Sequence, residues 1–305
     1  MIFPQPPSRV AEHVSRHDFI LDALPPSGGL ALGNGDVSAS LCGGPDFLAL
    51  GVSKRDAPVG KIVLRVHYPE SGPHPPPLPE RGALLPLPLP MLGERAGVAT
   101  PAGATGWVEG RGVGEGFGPV TLRLYDATAH VSFPDGVTIE AFVAATRNLI
   151  VLRVRSSAPD CLPASLELSS PGSQFRADGP FRYARRDVGD LRLVICGFVY
   201  GARSHSTVRE HAVVAAFDLP PSGECVVLAG VASSLDDPDP TRRARTEVER
   251  ALPHGYLLLQ REHAVSWERF WESAETEPPG ALRKFFDCRE RYALKSRRPH
   301  HDQTL

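Results

Sequence analysis

At 305 residues with a formal net charge of −2 and a sequence pI near 6.6, the chain can hold one large β domain or two smaller ones, and it has no global field that would gather nucleic acid or an anionic membrane. Hydrophobic residues make up 42% and charged residues 22%, the balance of a soluble globular protein, while 29 glycines and 31 prolines imply many turns. No apolar run approaches the ~20 residues that span a bilayer, and Met1–Pro7 lacks a basic segment followed by an apolar one, so a cytoplasmic chain without an export signal is expected.

The first element after an N-terminal tail over 1–14 is Leu32-Gly33-Asn34-Gly35-Asp36, turn-competent polar residues between glycines. Strands are expected over 47–52 and 62–68, separated by Lys54-Arg55-Asp56. Residues 69–101 are proline-rich and read as an insertion between strands, since proline removes ladder donors. The glycine-rich run 110–118 fails the dinucleotide fingerprint, with Phe117 in the third glycine position and a strand rather than a helix following. From Val120 to Val154 apolar and polar residues alternate as in a β-meander, with a tight turn at Pro134-Asp135-Gly136 and a dense apolar run, 149–154, that reads as a central strand.

Further strands are expected over 165–168, 191–200, 211–217 and 225–231. Many short strands without alternating helices predict a mainly β fold: a large two-sheet antiparallel sandwich over 15–236. After it, Asp239-Pro240 suits an N-cap and first turn, with Ala244, Val248, Ala251 and Leu252 on one face, and a second helix is expected over 256–273 within a linker spanning 237–278. A third helix carrying Leu282, Phe285 and Phe286 opens the segment 279–305, which ends in a polar, unpatterned and disordered tail.

The candidates for chemistry are sparse. Five scattered cysteines form no Cys-x-x-Cys pair and read as free thiols, buried at Cys196 and Cys225; neither a metal nor another cofactor is expected. Adjacent His300 and His301 on a mobile end do not preorganise a metal site. The carboxylates Asp36, Asp56, Glu109, Glu115, Asp126 and Glu140 show no convergence in sequence, and Glu140 falls on a strand face where a solvated charge is the default. Asn34 and Asp36 divide between local turn bonding and contact with a sugar, Lys54 and Asp56 between pairing with each other and facing an interdomain cleft. Trp107 is the isolated aromatic available for stacking on a sugar. A Gly-x-Ser-x-Gly elbow is absent.

These motifs, in order, carry a resemblance. Gly29 to Pro45, Lys54-Arg55-Asp56, the 134–136 hairpin, the strands 138–142 and 149–154, and the tail containing Gly255-Tyr256, His263 and Trp267-Glu268-Arg269-Phe270-Trp271 resemble the N-terminal region of glycoside hydrolases similar to families 65 and 95, over residues 15 to 295. One departure is Ala57-Pro58, where members commonly place a Trp. The resemblance implies a supersandwich and helical linker leading into an (α/α)6 barrel. It also implies inverting glycoside hydrolysis by two carboxyl groups roughly 6.5 to 9.5 Å apart. Both groups belong to the barrel, so no catalytic residue carries over, and the chain is expected to be a truncated support domain, inactive alone. The implied partners are the missing or separate barrel and an oligosaccharide or glycan contacting Asn34, Asp36, Lys54, Asp56 and Trp107. Trp267, Phe270, Trp271, Phe285 and Phe286 are expected to form an interdomain face poorly covered in the isolated chain. The competing reading is a non-catalytic sandwich that binds carbohydrate or a protein. Substrate sugar, and hydrolysis against phosphorolysis, stay open.

Overall fold

A computed structural model describes residues 9–22, 24, 30–68, 118–133 and 136–273. All belong to one compact unit, Met1–Tyr68 with Glu115–Leu305; the other unit, Pro69–Gly114, lies outside the described residues with the proline-rich insertion and Trp107. The third helix with Phe285 and Phe286 also lies outside them.

In chain order the first half holds α1 (Arg9–Ser15), β1 (Phe19–Leu21), β2 (Ala31–Gly33), β3 (Val37–Gly44), β4 (Phe47–Lys54), β5 (Ala57–Val66), β6 (Val120–Arg123), β7 (Thr128–Ser132), β8 (Val137–Val143) and β9 (Leu149–Ser156). The second half holds β10 (Leu162–Ser169), β11 (Gln174–Asp178), β12 (Phe181–Val188), β13 (Leu191–Tyr200), β14 (Ser204–Val208), β15 (Ala212–Leu219), β16 (Glu224–Ser233), α2 (Pro240–Ala251), a 3-10 turn (Leu252–His254) and α3 (Gly255–Ser273).

The described strands form two antiparallel sheets, nine-stranded in the order β1-β6-β7-β8-β9-β16-β13-β12-β11 and seven-stranded in the order β14-β15-β10-β5-β4-β3-β2. The expected mainly β sandwich followed by helices is what the chain forms. The run that reads as central is β9, fifth of nine strands, held by β8 and β16. Alternating burial in β3 and β10 marks strands with one face on the core between the sheets, where Leu41, Leu50, Ile62, Leu152, Leu166 and Val227 meet.

A second apolar layer lies on the outer face of the nine-stranded sheet. Phe142, Val151, Val194 and Leu228 pack there against Ala244, Val248 and Ala251 of α2 and Tyr256 and Leu259 of α3. Coverage on both faces explains why β16 is buried along nearly its whole length and lacks a period-2 pattern. The helix approaches so closely that a Cβ at Gly230 would sit 2.1 Å from the carbonyl oxygen of Ala244.

The same helix layer corrects the reading of the tryptophans. Trp267 and Trp271 are 0% and 1% exposed and join the inter-sheet core, and Trp271 Nε1 donates to the Leu124 carbonyl at 3.1 Å. Phe270 stacks edge-on against both and packs on that core. Trp267 and Trp271 are thus covered within this chain, Trp271 against the β6–β7 turn, while Phe270 is half-buried.

Candidate functional site

The glycine-flanked motif and the β4–β5 turn build one buried polar node. Asn34 closes the β2–β3 hairpin: its Oδ1 accepts from the amides of Asp36 and Val37 at 3.0 and 2.8 Å, and Gly35 supplies the turn with a φ of 92°. Its Nδ2 donates to the carbonyls of Ala144 and Arg147 at 2.9 and 2.8 Å, in the β8–β9 loop of the opposite sheet. Both donors and both lone pairs of the amide are occupied, leaving little capacity for a sugar hydroxyl.

Lys54 ends β4, and Arg55 and Asp56 follow with φ of 47° and 65°, the left-handed pair of a two-residue hairpin turn. That turn sends Asp56 to the surface, away from the polar node. It also turns the fully buried Lys54 inward, where Nζ lies 2.6 Å from Asp36 Oδ2 and 3.1 Å from Asp236 Oδ2. Arg55 donates from Nε to Asp36 Oδ1 at 2.9 Å and reaches Asp236 Oδ1 at 3.4 Å, while Asn148 Nδ2 donates to Asp36 Oδ2 at 2.8 Å. Asp236 Oδ2 also accepts from the amide and hydroxyl of Ser233, both at 2.8 Å. Burial opposes ionisation of Asp36, but Lys54, Arg55 and Asn148 overcome it and hold its pKa at about 2.

Among the residues expected to contact a sugar, Asn34, Asp36 and Lys54 thus converge, Asp56 stands apart in the turn, and Trp107 lies outside the described residues. Lys54 pairs with Asp36 and Asp236 rather than with Asp56. The members of the node that the sequence does not reveal are Arg55 as a partner of Asp36, Asn148 and Asp236. Asn148 follows the turn residues Thr146 and Arg147 and Asp236 precedes the helix cap, but nothing local signals that either meets the hairpin and turn that carry Asp36 and Lys54.

Glu140 is not a solvated charge on an open strand face. It is 7% exposed because the start of α3 covers it: the Tyr256 hydroxyl and Arg155 Nη2 both donate to its carboxylate. Arg153 lies 4.6 Å over the Tyr256 ring and bonds Glu224, and burial with the Glu140 contact pushes the Tyr256 phenol well above its usual range. Asp126, 6% exposed, pairs with Arg123 at 2.6 Å, yet burial outweighs that pairing and raises its pKa to about 6. Glu109 and Glu115 lie outside the described residues. Burial also pushes the free thiols of Cys196 and Cys225 up to about 12, which leaves them unreactive near neutrality.

These groups are held by partners within the chain. A general acid must hold a proton near neutral pH and reach a substrate oxygen. Asp36 is pinned as a carboxylate, Glu140 is tied to a guanidinium and a phenol, and Asp126 is sealed in a turn. The polar node instead ties four pieces together: the β2–β3 hairpin, the β4–β5 turn, the β8–β9 loop and the segment leading from β16 to α2.

Fold and node define a two-sheet β-sandwich with a helical segment packed on one outer face. Its fold is similar to that of a solved structure described as "Putative kojibiose phosphorylase from human microbiome", with a TM-score of 0.56 and 8% identity, covering 92% of this chain. The chain spans 41% of the length of that protein. No protein-family model and no curated protein matches the sequence.

Proposed function

We propose that this chain is the β-sandwich support domain of a carbohydrate-active enzyme that cleaves glycosidic bonds, with the proton-transferring carboxyl groups supplied by an (α/α)6 barrel. The observation that carries this reading is the fold similarity over 92% of the chain. The motifs that carry the family resemblance agree with it. Asn34, Asp36 and Lys54 are the residues that interlock the two sheets with the segment entering α2, so they serve the domain's shape. Cleavage needs one carboxyl group to protonate the leaving oxygen and a second group to direct the attack. Asp36, Asp236 and Glu140 are committed to cations within the chain, which leaves that work to the barrel. Water or phosphate is the attacking group.

The test is to purify the chain alone and together with a barrel polypeptide encoded at the same locus, and to offer both α-linked gluco- and fuco-disaccharides with and without phosphate. Turnover is expected with the barrel only, and release of a sugar 1-phosphate would identify phosphorolysis. Turnover by this chain alone, or a barrel polypeptide whose activity is the same with and without the chain, overturns the proposal.

A further inference from the structure

At the far end of the nine-stranded sheet, α2 and the strands β11 and β12 enclose an open groove of about 470 Å³. Small-molecule sites are commonly concave and of roughly 300–1,000 Å³. The lining residues are polar, with three guanidinium groups, three carboxylates, the Tyr183 side chain and the hydroxyls of Thr241 and Thr246.

The charges on this lining are already balanced. Arg242 holds both oxygens of Asp237 at 3.1 and 3.0 Å. Arg245 donates to Glu249 at 2.7 Å and to Asp178 at 3.3 Å, with its guanidinium 4.5 Å over the Phe181 ring, and Arg176 reaches Asp178 at 3.5 Å. The helix N-terminus is occupied too, since Asp239 accepts from the amide of Arg242 at 3.1 Å. An incoming phosphate would meet guanidinium groups whose charge these carboxylates already offset.

Forked planar donors and acceptors held in fixed pairs suit a different ligand. Adjacent hydroxyls of a pyranose each donate and accept, and a guanidinium or carboxylate edge can engage two of them while keeping its own partner. Within that array Arg245 is positioned by its stack over Phe181 and its i,i+4 pairing to Glu249. We infer that the groove between α2 and β11–β12 binds a neutral oligosaccharide segment, as a non-catalytic subsite distinct from the polar node. This inference stands on the groove alone and does not need the barrel.

The experiment is a titration of the isotopically labelled full chain with maltotriose, followed by amide NMR shifts, with inorganic phosphate as a second probe. Maltotriose is expected to bind in the millimolar range and to shift Thr241, Arg242, Thr246 and the β11–β12 amides. Thr246→Trp fills the groove and should abolish the shifts; the milder, surface-exposed Arg242→Gln should weaken binding several-fold with the unbound spectrum otherwise preserved. Arg209→Gln, in the β14–β15 turn of the other sheet, should bind as the parent does. Absence of groove shifts with maltotriose, equal binding by Arg242→Gln and Thr246→Trp, or groove shifts with phosphate in place of maltotriose would each overturn the inference.

Discussion

Lys54 Nζ lies 2.6 Å from Asp36 Oδ2, and the lysine side chain has no exposure to solvent. A desolvated ammonium survives only with compensating charge. Here Asp36 and Asp236 provide it from two distant parts of the chain, and Arg55 balances the second carboxylate. The pair makes a structural claim on the whole sandwich, because neither charge can move without stranding the other.

Lys54→Met should therefore cost about 3–5 kcal/mol, the range for breaking a buried pair on one side. Adding Asp36→Asn should recover part of that loss, since the carboxylate no longer needs the ammonium. Urea denaturation of both single variants and the double variant measures the coupling. A loss below about 1 kcal/mol in Lys54→Met would show that the pair does not hold the sheets.

Stability should also vary with pH in two opposed ways. Asp36 is depressed from 3.8 to about 2, so it adds stability that is fully present above about pH 4 and lost as pH falls toward 2, an effect of roughly 2 kcal/mol. Asp126 is raised from 3.8 to about 6, so burial of its charged form costs stability as pH rises through the 4–6 window. Thermal unfolding against pH should show less acid sensitivity in Asp36→Asn and a flatter profile between about pH 4 and 6 in Asp126→Asn. Unchanged slopes in both variants would contradict these assignments.

Gly230→Ala tests the contact between sheet and helix. The new methyl would overlap the Ala244 carbonyl of α2, so the helix must shift away from β16. Overpacking of this kind costs about 1–3 kcal/mol. Hydrogen exchange should speed up in α2 and the face of β16 beneath it, while β3–β5 stay protected; uniform protection would mean that the helix accommodates the methyl without strain.

The buried tryptophans lead to an optical prediction. In a Trp107→Phe background, emission from Trp267 and Trp271 should be blue-shifted and resist acrylamide quenching, and the native chain should bind little ANS through this face. Trp271→Phe, which removes the bond to Leu124 O and some packing volume, should lower stability by about 1–3 kcal/mol. Efficient quenching of both indoles would restore the reading of an uncovered interdomain face.

Legibility in the sequence differs between elements. Period-2 alternation reveals β7 and β8, and the Asp239-Pro240 pair marks the start of α2, where Asp239 caps the amide of Arg242. The strand β12, with Arg182, Arg185 and Arg186 in its sequence, offers little apolar signal and becomes a strand through pairing with β11 and β13. Glu140 reads as solvated because its strand alternates correctly; only the arrival of α3 over that face makes it buried. The tryptophan spacing predicts a helix over 256–273, which α3 forms as Gly255–Ser273, but it does not say which surface the indoles meet.

By itself, the sequence determined the turns, the strand alternation and the helix cap, because each depends on torsional preference and side-chain period within a few residues. The tertiary structure alone decided that Asp36 meets Lys54 and Asn148, that Lys54 also reaches Asp236, and that Trp267 and Trp271 close this chain's own core. Arg55 and Asp236 are 181 positions apart, and no local energy selects such a partner. Desolvation does: once the two sheets and the helical segment exclude water at their junction, only opposite charges brought there by the chain's path can remain.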